Sequence, residues 1–95
     1  MDISVSGNTV TLTGNIKSIQ DYQKIKETID KIVTTEKRII LNITDSISII
    51  SSVIGYLNKL VLKDNVDLSI NVGDAQLMEL FEDLNLISLF HVKKA

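Results

Sequence analysis

Hydrophobic and polar residues follow two different periods along the first third of the chain. Over residues 3–13 apolar and small polar positions alternate on either side of Gly7-Asn8, which is typical of two antiparallel strands joined by a tight turn. Over residues 17–34 apolar residues recur every three or four positions, which indicates an amphipathic helix. Ser18 can cap this helix, with Asp21 as the acid of a capping box. Its apolar positions are Ile19, Tyr22, Ile25, Ile29, Ile32 and Val33.

The rest of the chain alternates between short apolar runs and helical periods. The run RIILNIT at residues 38–44 is typical of a strand in the middle of a sheet that is covered on both faces. Helical spacing returns over residues 51–63, and VDLSINV at residues 66–72 alternates as another strand. A third helix is predicted over residues 74–83, with Asp74 as its cap. The tail NLISLFHV predicts a loop, a short apolar turn and a last short strand.

The predicted order of elements is therefore β-β-α-β-α-β-α-β. Strands linked through helices imply parallel pairs with right-handed crossovers, and the initial hairpin adds an antiparallel edge. The sequence predicts an α/β fold with a mixed sheet and amphipathic helices packed against it. The length of 95 residues fits a single domain spanning residues 1–95.

Composition and charge exclude several classes of function. Ten Lys and Arg against twelve Asp and Glu give a net charge of −2, whereas nucleic-acid binders normally carry a clustered basic excess. The chain has no cysteine, so disulfides and thiolate chemistry are excluded. No apolar run approaches the roughly 20 residues of a membrane span, and no signal peptide is visible. We therefore expect a cytoplasmic protein, monomeric or weakly dimeric, that neither binds nucleic acid nor inserts into membranes.

Catalytic groups are sparse. The one histidine, His91, has no cysteine or second histidine as a companion, and the four glycines are scattered singly rather than grouped in a phosphate-binding loop. The acidic residues Glu79, Glu82 and Asp83 lie on the polar side of a helix, where a solvated surface is the usual explanation. We expect no catalysis, no metal and no cofactor.

The start of the second helix carries the one unusual pattern, two adjacent serines after an apolar loop. Ser51 or Ser52 could cap the helix, which is worth about 0.5–2 kcal/mol. An exposed serine at this position is equally a candidate phosphorylation site, because a phosphate there meets the helix dipole and free N–H groups. The loop before it contains Ile47, Ile49 and Ile50, too many apolar residues for a purely solvated segment. Some of them must enter the core, and one could contact a partner.

From Lys37 onward, KRIILNITDSISIISSVIGYLNKLVLKDNVDLSINVGDAQLMELFEDLNLISLFHV resembles a STAS domain of the anti-sigma factor antagonist type. Such domains commonly run strand, loop, Asp-Ser-Ser/Thr-Gly, helix, strand, turn, helix and an L…LF.V ending, and VTLTGNI is similar to their first strand and linker. Ser51 and Ser52 match the hydroxyl pair, and Gly55 and Leu57 match a glycine and a leucine of the helix. The chain departs from the pattern in having Ile50 for the aspartate, Val53 for a small residue, and Asn42 for an aspartate that often ends the central strand.

The resemblance implies a sheet of four to five strands and a regulatory role. Members of this family bind an anti-sigma factor or serine kinase, which can phosphorylate a serine at the start of the second long helix; Ser51 and Ser52 are the candidates here. Other members are never phosphorylated and dock constitutively in stress-signalling or lipid-transport assemblies, which is the alternative function. Small-ligand or nucleotide binding ranks below both. The partner-binding residues implied are Asp45, Ser46, Ile47, Ser48, Ile49, Ile50, Ser51, Ser52, Ile54 and Gly55.

Overall fold

Five strands and three helices form in the order that the hydrophobic pattern predicts. The structure, a computed structural model, describes residues 1–95. Its elements are β1 (Asp2–Ser6), β2 (Thr9–Thr13), α1 (Ile19–Val33), β3 (Arg38–Ile43), α2 (Ser51–Leu62), β4 (Asp67–Val72), α3 (Ala75–Asp83) and β5 (Val92–Lys94). The predicted α/β fold is confirmed, and each helix lies within its predicted span.

All five strands belong to one mixed sheet in the order β1-β2-β3-β4-β5. The hairpin strands β1 and β2 are antiparallel, and every other neighbouring pair is parallel. Gly7 has a φ of 61° in the hairpin turn, a backbone conformation that glycine adopts without steric cost. The three crossovers each step to the adjacent strand in the same direction. Right-handed crossovers of this kind place all three helices on one face of the sheet.

The two faces of the sheet consequently differ in burial. On the helix side, Val10, Leu41 and Ile70 are fully buried and lie in register on neighbouring strands. On the other side, residues such as Ile40 and Asn42 are half-buried. The prediction that β3 is covered on both faces is therefore wrong, although its central position is confirmed. Its unbroken apolar run reflects one buried face plus the single apolar residue Ile40 on the uncovered face.

Side-chain caps fix the first residues of α1 and α3. The N–H of Asp21 donates to Ser18 Oγ over 3.1 Å, and the Asp21 carboxylate accepts from the Lys17 N–H. This backbone hydrogen bond from Lys17 holds the pKa of Asp21 below its usual value. The Asp74 carboxylate accepts from the N–H groups of Gln76 and Leu77. Both predicted caps are confirmed, whereas α2 begins differently.

Candidate partner-binding surface

The loop between β3 and α2 is fastened to the loop between β2 and α1 by three hydrogen bonds. The Gly14 N–H donates to Asp45 Oδ1 over 2.7 Å, and the Ile16 N–H donates to Ser46 Oγ over 3.0 Å. In the reverse direction, the Ile47 N–H donates to Asn15 Oδ1 over 3.1 Å. Polar side chains thus replace the regular ladder where the sheet ends. This arrangement gives the β3–α2 loop a defined conformation at the carboxyl edge of the parallel strands.

Two of the residues predicted to contact a partner are buried. Ser46 has no exposed surface, and its buried hydroxyl is satisfied because it accepts from the Ile16 N–H and donates to the Ser48 carbonyl over 2.6 Å. Ile49 is only 8 % exposed and belongs to the hydrophobic core. Neither side chain is therefore accessible to a partner, and the burial of Ile49 agrees with the expectation that part of the apolar loop enters the core. Both side chains face the interior of the protein and hold the loop in place.

Neither Ser51 nor Ser52 caps α2. Ile50 occupies the N-cap position with extended backbone and offers no side-chain hydrogen bond, and Ser51 is the first helical residue. A cap must lie one position before the first helical residue for its oxygen to reach the free N–H groups. The predicted capping role is therefore wrong. Ser51 is exposed, Ser52 is half-buried, and neither hydroxyl makes a hydrogen bond within the chain.

The remaining residues are uncharged and come from one segment of the chain, and we call them the α2 surface. No charged residue lies between Asp45 and Lys59 in the sequence. Ile47 is 51 % exposed, a high value for a large apolar side chain beside a helix start. The α2 surface consists of Ile47, Ser48, Ile50, Ser51, Ser52, Ile54 and Gly55, all exposed or half-buried. It offers apolar groups, hydroxyls and free N–H groups to a partner.

Gly55 lies within α2 on this surface, and the fold does not explain it. Its backbone is helical, and a Cβ added there would meet no atom within 4 Å. By contrast, a Cβ at Gly73 would overlap the backbone carbonyl of Thr44. Glycine within a helix costs about 0.8–1.0 kcal/mol relative to alanine. Gly55 therefore makes α2 less stable than alanine would, and no packing contact within the chain compensates for this loss.

A polar contact beneath the α2 surface ties α2 to α1. The Tyr56 hydroxyl donates to Asp30 Oδ1 over 2.6 Å, and Lys26 Nζ lies 2.9 Å from Asp30 Oδ2. Burial, together with this carboxylate, raises the pKa of Tyr56. Burial alone would raise the pKa of Asp30, but the hydrogen bonds from Tyr56 and Lys26 outweigh it and hold that pKa below its usual value. Sequence reasoning missed this pair, since only the helix packing brings the two residues together.

The uncovered face of the sheet carries a row of polar side chains that sequence reasoning also missed. Asn71 Nδ2 donates to Asn42 Oδ1 over 2.8 Å, and Asn42 Nδ2 donates to Thr11 Oγ1 over 3.4 Å. These three side chains line an open cavity of about 340 Å³ together with Thr44 and Ala95. The polar members of the alternating strand pattern were the available signal. Their hydrogen bonds to one another satisfy polar groups that are half-buried on this face.

His91 lies at the other end of the sheet from the α2 surface. Its Nδ1 is 2.8 Å from the Leu68 carbonyl oxygen near the amino end of β4, which requires Nδ1 to carry the hydrogen.

No group of three or more His, Cys, Asp or Glu side chains is arranged to hold a metal ion. None of the three helices is long and apolar enough to cross a membrane.

Comparisons with known proteins gave no relative: no protein-family model, no curated protein and no solved structure matches the chain.

Proposed function

We propose that the chain is a regulatory protein-binding module of the anti-sigma factor antagonist type, acting in the cytoplasm and without catalysis. Its partner is an anti-sigma factor or serine kinase, which contacts the α2 surface. The observation that carries the proposal is the exposed, uncharged and uncapped start of α2, with Ile47 standing 51 % exposed beside it. The order of strands and helices is also the order that the sequence resemblance to STAS domains implies.

Gly55 supports a protein partner in particular. A glycine on a helix surface lets the backbone of a second molecule approach more closely than any side chain would allow. No packing contact in the fold requires this glycine, and close approach of a partner would give it a use. The exposed Ile47 and the half-buried Ile54 supply the apolar area that such a contact would bury.

Ser51 is the candidate phosphorylation site in this proposal. It is exposed and makes no hydrogen bond, so a kinase can reach its hydroxyl. A phosphate there would add about −1.5 to −2 charge to an uncharged surface. Binding that buries isoleucine side chains beside this charge would then require its desolvation, which is costly. Phosphorylation would therefore release the partner.

Constitutive docking on a larger assembly is the second candidate function, and Ile50 favours it. This half-buried side chain replaces the aspartate that usually precedes the serine pair in the family. An apolar residue at the N-cap position removes a polar group that a kinase site would present. In this alternative the same α2 surface is used, and Ser51 stays unmodified.

Affinity capture with matched variants tests the proposal. The 95-residue chain is used as bait, and captured proteins are compared by mass spectrometry with those captured by Ile47→Asp and Leu62→Asp. Both residues are exposed, at 51 % and 66 %, but Leu62 lies at the far end of α2. The proposal expects an anti-sigma factor or kinase that Leu62→Asp retains and Ile47→Asp loses. A partner retained equally by both variants would place the binding surface elsewhere.

A further inference from the structure

The two edges of the sheet differ in how they are protected against pairing with another strand. At one edge, β5 is only three residues long and carries Lys93 and Lys94. Just before β5, the ring of His91 hydrogen-bonds the Leu68 carbonyl of β4, so that this backbone group is covered. Short edge strands, lysines and covered backbone groups are the usual ways in which proteins block edge pairing. The β5 edge of the sheet is therefore protected against pairing with another strand.

The opposite edge, formed by β1, has none of these features. Its five residues pair with β2 in an uninterrupted register without a bulge, and they include no lysine and no proline. Val5 shares the helix side of the sheet with the buried Val10, yet Val5 is 49 % exposed. The helices thus leave both the edge and its apolar side chain uncovered.

The hairpin turn determines which backbone groups of β1 point outward. Ser6 and Thr9 flank the two-residue loop and pair directly, so they exchange hydrogen bonds across the hairpin. Hydrogen-bonded and non-hydrogen-bonded pairs alternate along an antiparallel ladder. Ser4 and Asp2 therefore also direct their backbone groups toward β2. The N–H and C=O groups of Ile3 and Val5 point away from the sheet.

We propose that β1 pairs antiparallel with β1 of a second copy, across a two-fold axis at Ser4, to join two sheets into one. This register sets Ile3 opposite Val5 of the second copy, so all outward N–H and C=O groups of both residues are used. A register centred on Val5 would set Ile3 opposite Gly7 in the hairpin turn, and one centred on Ile3 would set Val5 opposite Met1, which lies outside β1. Asp2 falls opposite Ser6, and no two like charges face each other.

The second copy also covers the exposed apolar side chain. Val5 of each chain packs beside Ile3 of the other on the helix side of the joined sheet. The contact area is small, which makes the dimer weak and dependent on concentration. The α2 surface takes no part in this contact, so dimerisation is independent of the function proposed above.

Sedimentation equilibrium over a concentration series tests the proposal. The wild-type chain dimerises at high concentration. Ser4→Lys places like charges opposite each other at the axis and raises the dissociation constant at least about tenfold; Ser4→Glu does the same. An equimolar mixture of the two variants restores dimers, since opposite charges then meet. Ser69→Lys, on the same face but within the sheet, leaves dimerisation unchanged.

A second variant keeps the test independent of any loss of folding at Ser4. Ser6→Lys faces Asp2 of the second copy, so this change tightens the dimer. A wild-type chain that stays monomeric throughout the series overturns the proposal. So does a Ser4→Lys variant that dimerises as tightly as wild type, or a mixture of the two Ser4 variants that stays monomeric.

Discussion

Replacing Gly55 with alanine should make the chain more stable and weaken its partner binding. The stability gain follows from helix propensity, because alanine is favoured over glycine within a helix by about 0.8–1.0 kcal/mol. No atom lies within 4 Å of the added Cβ, so no steric penalty opposes this gain. The free energy of unfolding should therefore rise by about 1 kcal/mol. For a chain of this size the corresponding increase in Tm is about 4–8 °C.

Urea unfolding followed by circular dichroism measures the change. The midpoint should shift upward while the slope m stays constant, because the surface exposed on unfolding hardly changes. Gly73→Ala is the matched control and should be destabilising, since its Cβ would overlap the Thr44 carbonyl. A neutral or destabilising Gly55→Ala would mean that the fold itself uses this glycine. The reasoning that a partner requires it would then fail.

Gly55→Ala should weaken partner binding although it stabilises the fold. An extra methyl in a close-packed contact typically costs 1–3 kcal/mol, so the Kd for the captured partner should rise about tenfold. Gln23→Ala, at an exposed position of α1, provides the control for non-specific effects and should leave Kd unchanged. Isothermal titration calorimetry gives both values. A gain in stability with an unchanged Kd would place Gly55 outside the contact.

Three further predictions concern single side chains. Ser51→Asp should fold normally and bind the partner more weakly, whereas Ser51→Ala should match wild type in both stability and binding, because Ser51 is not a cap. Calorimetry measures the binding and circular dichroism the folding. Unchanged binding by Ser51→Asp would mean that the partner binds elsewhere on the chain. Ser46→Ala should lower the free energy of unfolding by about 1–3 kcal/mol, since the buried Ile16 N–H loses its acceptor; a loss near zero in urea unfolding would contradict the loop contacts. Tyr56→Phe should cost on the order of 1.5 kcal/mol at neutral pH. Because the pKa of Asp30 is lowered in the folded state, the stability linked to it is present above pH 4 or so and is lost as pH falls further. The free energy of unfolding of Tyr56→Phe should therefore fall less steeply than that of wild type as the pH is lowered. An unchanged dependence on pH would exclude the Tyr56–Asp30 pair as a cause of the loss of stability in acid.

The fold was largely predictable because the local signals and the overall topology agree. The change of period between β2 and α1 and the side-chain oxygens of Ser18 and Asp74 mark real boundaries. Burial was harder to predict for β3. Its apolar run is compatible with covered or uncovered faces, and only the direction of successive crossovers decides that all helices lie on one side.

For the candidate site, the sequence indicates a segment but not the exposure of its side chains. The apolar loop and the serine pair mark the segment that forms the uncapped start of α2, but their spacing does not reveal which side chains turn inward. Ser46 is buried where its oxygen accepts from a backbone N–H thirty positions earlier, that of Ile16. Such contacts depend on how two loops meet at the end of the sheet. A sequence read one segment at a time does not contain that information.

Site-specific photo-cross-linking in the native host tests the central proposal most directly. A photoreactive amino acid replaces Ile47 in one variant and Leu62 in another, and a third variant carries it at Thr13, exposed on β2. The proposal predicts that irradiation links one protein, an anti-sigma factor or kinase, to the Ile47 variant and not to the other two. A link that forms only at Leu62 or Thr13, or equally at all three positions, would contradict binding through the α2 surface.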